Sequence, residues 1–410
     1  MCHAKRCAFE GDRTNQPHRQ ETGRYDQEIG PLWRQNPDRE LDLPYYGFEH
    51  VDLASGHGDQ VDGHYNRWVS EQGANLEELR GPENAICDGQ CPLFKAWRTR
   101  VPKELYPTRY IQNMTEQVLA KHACADGEPF FHWASFCDPH HPFSPPGRYW
   151  DMYSPDDVTL PDSASHRSSE GWAARLRELR QSGRADLAGT AAIAATETEL
   201  RWATALTFGL ISMVDDAVGA ILDALQRNGQ ADNTIVIFLA DHGELLGDHG
   251  LIFKGPYHYQ SVTRVPLIWH DHRRRQSEVS ETLVSSVDVS ASILDAANVK
   301  GYGGMNGRSI LSTSDGPNRD AILIEDEIQA ELPCTNIRGR ARSLVTDEWR
   351  LTVYDNLEQG ELFNLTEDPT ESTNRWQDPS AAGKRAELME ALAREMLAHS
   401  ETGALPEFAA

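Results

Sequence analysis

The sequence predicts an α/β fold, a doubly wound mixed sheet flanked by helices, followed by a small antiparallel sheet plus helix. Three features predict it. Apolar strand-like runs alternate with helix-period stretches from Tyr45 to about Lys300, the pattern of a sheet covered on both faces. A long amphipathic stretch leads directly into the β-branched run Thr234-Ile235-Val236-Ile237-Phe238-Leu239. Beyond Ala321 the runs shorten and are joined by turns such as Thr346-Asp347-Glu348, which favours antiparallel neighbours. The expected division is an irregular segment over 1–44, an α/β domain over 45–318 and a C-terminal α+β subdomain over 319–410.

Each element has its own justification. Residues 1–44 are polar and aperiodic, as in Gly11-Asp12-Arg13-Thr14-Asn15-Gln16-Pro17, and read as loop. Pro129-Phe130-Phe131-His132-Trp133-Ala134-Ser135-Phe136 reads as a buried strand that ends at the proline-bracketed loop Cys137-Asp138-Pro139-His140-His141-Pro142-Phe143. From about Thr196 to Arg227, Leu206, Leu210, Val214, Val218, Ile221 and Leu225 recur at steps of three and four, one apolar stripe of a helix. Asn228-Gly229 ends that helix, and the run 234–239 follows as a buried strand. A second helix is expected over Val287 to Ala297. The C-terminal strands are Ala321-Ile322-Leu323-Ile324, Arg342-Ser343-Leu344-Val345 and Trp349 to Tyr354, with a closing helix from Ala381 to Ala398.

Composition narrows the function. A chain of 410 residues suffices for one large α/β domain and a smaller unit. Its net charge of -24 argues against nucleic acid, which is bound through clustered Lys and Arg. It also imposes a requirement, because an acidic protein that binds an anion needs local cations or a metal to reverse its own field. No stretch is read as the run of about 18–20 apolar residues that spans a bilayer, so no membrane partner is expected. Of the seven cysteines only Cys87 and Cys91 are closely spaced. That pair can be a disulfide or half a zinc knot, and free thiols in a reducing compartment are the favoured reading. Met1-Cys2-His3-Ala4-Lys5-Arg6 has no apolar core of a secretion signal. A cytoplasmic location is the expectation, and the sequons at Asn113 and Asn364 carry no weight.

The most informative block is Asp241-His242-Gly243-Glu244-Leu245-Leu246-Gly247-Asp248-His249-Gly250, followed by Lys254 and by Arg264-Val265-Pro266-Leu267-Ile268. Ligands in open α/β sheets gather beyond the carboxyl ends of strands. Asp241 and His242 fall there, and an Asp–His pair beside glycines suits a hard or borderline cation. Lys254 is placed to meet an anion. Other polar residues have plainer readings. His140 can be a solvated loop histidine, His141 and His249 supporting or surface groups, and Asp215 and Asp216 the solvated face of a helix. His57 and His64 lie in a segment that can border a site.

With these blocks in order, the chain resembles the sulfatase family of the alkaline phosphatase superfamily, phosphonate monoester hydrolases included. The resemblance rests on Asp138-Pro139-His140-His141-Pro142-Phe143, on Val214-Asp215-Asp216-Ala217-Val218-Gly219 and on Thr234 through Ile268. The tail, Gly360-Glu361-Leu362-Phe363-Asn364-Leu365 and Glu367-Asp368-Pro369-Thr370-Glu371, looks like that family's closing segment. The resemblance implies that Asp241 and His242 close the coordination of a divalent cation, calcium first, with magnesium or manganese as alternatives. It implies that Lys254 contacts the transferred sulfuryl or phosphoryl group and that His140 contacts the leaving-group oxygen. These roles agree with charge neutralisation in the transition state and with proton delivery by imidazole.

The family pattern also has an Asp-Asp pair and a Cys- or Ser-x-Pro-x-Arg segment whose Cys or Ser becomes formylglycine, the nucleophile. None of the seven cysteines begins such a segment. Ser144-Pro145-Pro146-Gly147-Arg148 matches formally but lies just after His140 and reads as a decoy, and Ala4-Lys5-Arg6-Cys7 reads as a degraded Gly-Lys-x-His element. The expectation is therefore a sulfatase-type hydrolase of small sulfated or phosphorylated substrates that lacks roughly 80–120 residues of an ordinary member. A metal held by Asp241 and His242 alone would fall short of three or four protein ligands. A catalytically inactive anion-binding homologue and a phosphonate or phosphate ester hydrolase are the alternatives. A headgroup transferase of the superfamily would usually carry membrane segments.

Overall fold

The structure, a computed structural model, describes residues 26–86, 89, 91–124, 128–165, 171–187, 192–273, 277–302, 304–311, 319–327, 340–355 and 357–400. Chain order runs α1 (Gly30–Gln35), β1 (Ala54–Ser55), β2 (Asp62–Gly63), α2 (His64–Glu71), α3 (Pro107–Ala123), α4 (Gly171–Gln181) and β3 (Ile193–Ala194). It continues through α5 (Glu197–Arg227), β4 (Val236–Leu239), β5 (Leu251–Ile252), α6 (Gln260–Thr263), β6 (Leu267–His270) and α7 (Val287–Ala296). Strands β7 (Ile322–Glu327), β8 (Arg340–Val345), β9 (Trp349–Tyr354) and β10 (Glu361–Asn364) precede α8 (Ala382–Ala398). Two compact units emerge, one from residues up to Leu160 with Thr196–Ile235, the other from Pro161–Ala195 with Val236 onward. These boundaries cut the chain elsewhere than residues 44 and 318.

The first unit is organised by α5. Thr196 caps it reciprocally: its hydroxyl accepts from the Glu199 amide at 3.2 Å and the Glu199 carboxylate accepts from the Thr196 amide at 2.8 Å. Such a box satisfies two otherwise orphaned donors. Leu200, Ala203, Leu206, Leu210, Met213, Ala217 and Leu225 form the buried stripe, and α3 lies alongside with Tyr110, Ile111 and Leu119 buried. By length and composition alone α5 could cross a membrane, a property the sequence reading passed over. One face of it packs on α3 and is buried, while Phe208, Ile211 and Leu222 on the other side are exposed. Asp216, on its outer side, accepts from the Tyr149 hydroxyl at 2.6 Å and pairs with Arg148, while Asp215 is exposed.

The run Pro129–Phe136 departs from expectation. It pairs with no strand among the described residues, and Phe131 and Trp133 are exposed. Its apolar composition is that of a strand, but a strand is defined by a partner ladder that the local sequence does not supply.

In the second unit, β10, β9, β8 and β7 form an antiparallel sheet in that order. Side chains alternate between its faces, as the pleat requires. Leu344, Leu351 and Leu362 meet Leu388 and Leu392 of α8 on one face. Ala341, Tyr354 and Phe363 meet Trp172, Leu251, Tyr257 and Tyr259 on the other. Strand β10, read from the sequence only as a family motif, joins the sheet through Leu362 opposite Leu351.

Strand β4 pairs antiparallel with β6, Val236 opposite His270 and Leu239 opposite Leu267. The expectation of a fully buried strand is corrected here: Phe238 is 41% exposed, Leu239 38% and Ile268 60%. A ribbon of two strands cannot cover both its faces. Residues 1–25 and the Cys87–Cys91 pairing lie outside the described residues, Cys87 among them.

Candidate functional site

The loop after β4 belongs to the second unit. Gly243 donates to the Val262 carbonyl at 2.7 Å. A β-carbon there would lie 2.0 Å from the Ser261 carbonyl oxygen, so only glycine allows the loop to lie on α6. Leu245 then donates to the Phe253 carbonyl at 3.2 Å and Gly247 to that of Leu251 at 2.8 Å, which closes the loop into a narrow hairpin. Leu246, His249 and Phe253 have φ of 38°, 54° and 67°. Three non-glycine residues in the left-handed region within eight positions mark a backbone held by its surroundings, a pattern that clusters at functional sites.

Inside this hairpin Glu244 and Lys254 are brought together. Burial pushes the Glu244 carboxyl up to about 7, against the opposing pull of the Lys254 charge and of the Leu245 and Phe253 amides. The ammonium nitrogen of Lys254 is itself shielded from solvent. Sequence reasoning singled out Lys254 and missed Glu244. The available signal was a carboxylate set between Gly243 and the apolar pair Leu245-Leu246, a place where a charge needs a partner. His249 is buried and stacked on Tyr259 with ring centres 3.9 Å apart, which makes it a packing group.

The divalent cation that the resemblance implies meets a partial donor set. The His242 amide donates to the Asp241 carboxylate at 2.9 Å, and His242 Nδ1 donates to the Gly243 carbonyl at 2.8 Å. A neutral ring in that tautomer carries its lone pair on Nε2, which lies 3.4 Å from the second Asp241 oxygen. The two side chains thus lie side by side on the loop. Among the described residues, however, no group of three or more His, Cys, Asp or Glu could hold a metal. Two donors fall short of the three or four protein ligands that a divalent cation usually takes.

The histidine loop belongs to the first unit. Asp138 is buried, accepting from the hydroxyls of Thr108 and Tyr106. Burial pushes its carboxyl from the ordinary 3.8 up to about 7, aided by the charge of Asp59 and opposed by the two hydroxyls. Asp59 is likewise buried and raised by burial, with one oxygen accepting from the Gly81 amide at 3.1 Å, the Trp97 indole at 2.9 Å and the Thr99 hydroxyl at 2.6 Å. Ser144 accepts from the Asp59 amide at 3.3 Å and is fully buried.

His140 Nδ1 is hydrogen-bonded to the His141 carbonyl, and its ring lies flat against that of His57, centres 3.6 Å apart and planes 20° from parallel. His57 thus joins His140. His64 does not: it is buried against Trp33, accepts from the Leu53 amide at 2.9 Å and meets Glu40 at 3.2 Å.

The raised Asp138 has a measurable consequence. A carboxyl whose folded value exceeds its unfolded value binds its proton more tightly in the folded state, so stability falls as pH climbs from about 4 to about 7. Asp138→Asn, which stays neutral, is expected to flatten that decline by at most about 4 kcal/mol. Urea midpoints of both proteins at pH 4.5 and 7.5 check this, and parallel pH profiles would refute it.

The family model described as "Sulfatase" matches residues 47–299, and that described as "N-sulphoglucosamine sulphohydrolase, C-terminal" matches residues 247–398. The multifunctional alkaline phosphatase superfamily protein PehA of Trinickia caryophylli is 31% identical over 258 residues, covering 60% of this chain and 49% of that protein. An arylsulfatase of Clostridium perfringens is 26% identical over 279 residues, covering 66% and 54%. The crystal structure of the phosphonate monoester hydrolase of Agrobacterium radiobacter superposes with a TM-score of 0.66 at 22% identity, covering 88% of this chain and 75% of that one. That likeness establishes the α/β fold. The chain spans about half the length of the curated relatives it matches. With a family model covering more than half of its residues, the chain belongs to the sulfatase family.

Proposed function

We propose that this chain serves the hydrolysis of small sulfate esters. The observation that supports the reading most is the sulfatase match across residues 47–299, which includes the hairpin that encloses Lys254. Lys254 takes the anionic oxygens of the sulfuryl group, where a fixed cation stabilises charge that grows in the transition state. His140 serves the leaving group: with Nδ1 donating to a carbonyl, Nε2 is the nitrogen that gives or takes a proton. The chain's own residues supply reception of the anion and of the leaving group. None of its seven cysteines begins a Cys-x-Pro-x-Arg segment, and the one Ser-x-Pro-x-Arg, at Ser144, is taken as a decoy, so this reading assigns no formylglycine nucleophile among these residues.

Calorimetric titration with 4-nitrophenyl sulfate, with sulfate release followed in parallel, tests the reading. Saturable binding with slow or absent turnover is expected, and failure to bind overturns the reading. A second reading, hydrolysis of phosphonate monoesters, is raised by the fold match to a phosphonate monoester hydrolase. Tighter binding of phenyl phosphonate monoesters than of aryl sulfates would establish it instead.

A further inference from the structure

We propose that His57 is a positioning residue for His140, holding the leaving-group imidazole in one ring orientation by stacking on its face. The inference rests on the assignment of His140 to the leaving group and adds a residue that the family resemblance did not supply. Its basis is geometric. The two rings are stacked at 3.6 Å, and the opposite constraint on His140 comes from its own loop, where Nδ1 meets the His141 carbonyl. A carbonyl accepts and never donates, so that contact selects the tautomer with hydrogen on Nδ1. It does not by itself stop the ring from turning about its last side-chain bond, whose torsional wells are broad. A flat aromatic neighbour blocks that rotation, and His57 is such a neighbour.

The support beneath His57 is rigid. Gly58, next in the chain, has φ +55°, and a β-carbon on it would lie 2.8 Å from the Ser144 hydroxyl and 2.9 Å from Pro142. The turn of His57 is thereby pressed onto the loop of His140 without a side chain between them. Asp59 follows, its carboxylate bound by the Gly81, Trp97 and Thr99 donors and its amide by Ser144. The His141 ring, centred 4.1 Å from that of His140 and buried, closes a further side. His57 is thus held against its partner by the two residues that follow it and by the partner's own loop.

The imidazole nitrogens report the outcome directly. In the full chain labelled with 15N-histidine at pH 8, two-bond 1H–15N correlations of His140, assigned by their loss in His140→Gln, are expected to show one protonated Nδ1 and one lone-pair Nε2. His57→Ala is expected to average the two nitrogens, collapsing at least half of their shift difference. His57→Phe keeps a flat ring, has no titratable nitrogen, and is expected to restore the parent pattern. The proposal is overturned if His57→Ala retains the parent pattern, or if His57→Phe behaves as His57→Ala. Should His57→Ala misfold, His57→Phe decides alone, since a retained pattern supports stacking and a lost one refutes it. A parent that shows the fixed tautomer yet binds no 4-nitrophenyl sulfate would overturn the sulfate-ester reading and leave the positioning role standing.

Discussion

Replacement of Arg350 by alanine is expected to cost about 3–5 kcal/mol of stability, the largest effect of any single substitution in the second unit. Arg350 is fully buried on β9. Its guanidinium pairs with Glu361 at 2.9 Å and with Glu371, and donates to Thr352 at 2.6 Å. It also lies 4.7 Å from the ring centre of Phe363 and 5.2 Å from that of Tyr259. The two carboxylates hold the guanidinium charged well above the ordinary arginine value despite its burial. Removal of the cation leaves Glu361 and Glu371 buried and uncompensated, which is what makes breaking such a group costly.

The pH dependence carries the signature. Glu371 is already raised by burial, with Arg350 pulling it back. In Arg350→Ala it rises further, so the variant's deficit is smallest in acid, where the carboxyls are protonated, and grows as pH climbs past about 4.5. Urea midpoints of the parent and the variant from pH 4 to 8 measure this. The triple replacement Arg350→Met, Glu361→Gln, Glu371→Gln is expected to recover much of the loss. A uniform deficit at all pH values, with no recovery in the triple variant, would show that packing and not charge is lost.

Lys254→Ala is expected to weaken 4-nitrophenyl sulfate binding roughly 10- to 150-fold, the equivalent of about 1.5–3 kcal/mol for a hydrogen bond to a charged group. A second effect comes from Glu244. With the Lys254 charge gone, burial is opposed only by the Leu245 and Phe253 amides, and the carboxyl rises beyond its present value of about 7. The stability difference between variant and parent therefore widens as pH rises through neutrality. Lys254→Ala, Glu244→Gln removes that second effect and keeps the first. Unchanged affinity in Lys254→Ala would sink the assignment of the anion to this hairpin.

Much of this was legible in the sequence because it is local. The stripe from Leu206 to Leu225 specifies α5 by its period, and the helix begins one residue after its expected start. The C-terminal strands and α8 fall within a few residues of expectation for the same reason. Asp241, His242, Lys254 and His140 could be named from motif order. What the sequence could not show depends on pairs distant along the chain. Pro129–Phe136 has the composition of a strand without a partner ladder, and β4 has the composition of a buried strand on a half-open ribbon. The stacking of His57 on His140 joins residues 83 positions apart, and the burial of Glu244 follows from a fold-back that no local period announces.

The two-faced C-terminal sheet has one further consequence. The segment just after Lys254 is fastened to it, with His258 bonded to Ser343 at 2.8 Å, the Gln260 amide bonded to Glu371 at 2.7 Å and Tyr259 beneath Arg350. On the ribosome, residues 241–254 leave the exit tunnel long before residues 343–371 have been made. Because domains fold as units during synthesis, the hairpin waits, its fastening arriving about a hundred residues late. A pause in translation within that interval would leave the hairpin translated and unformed, and protease sensitivity of stalled nascent chains would reveal it.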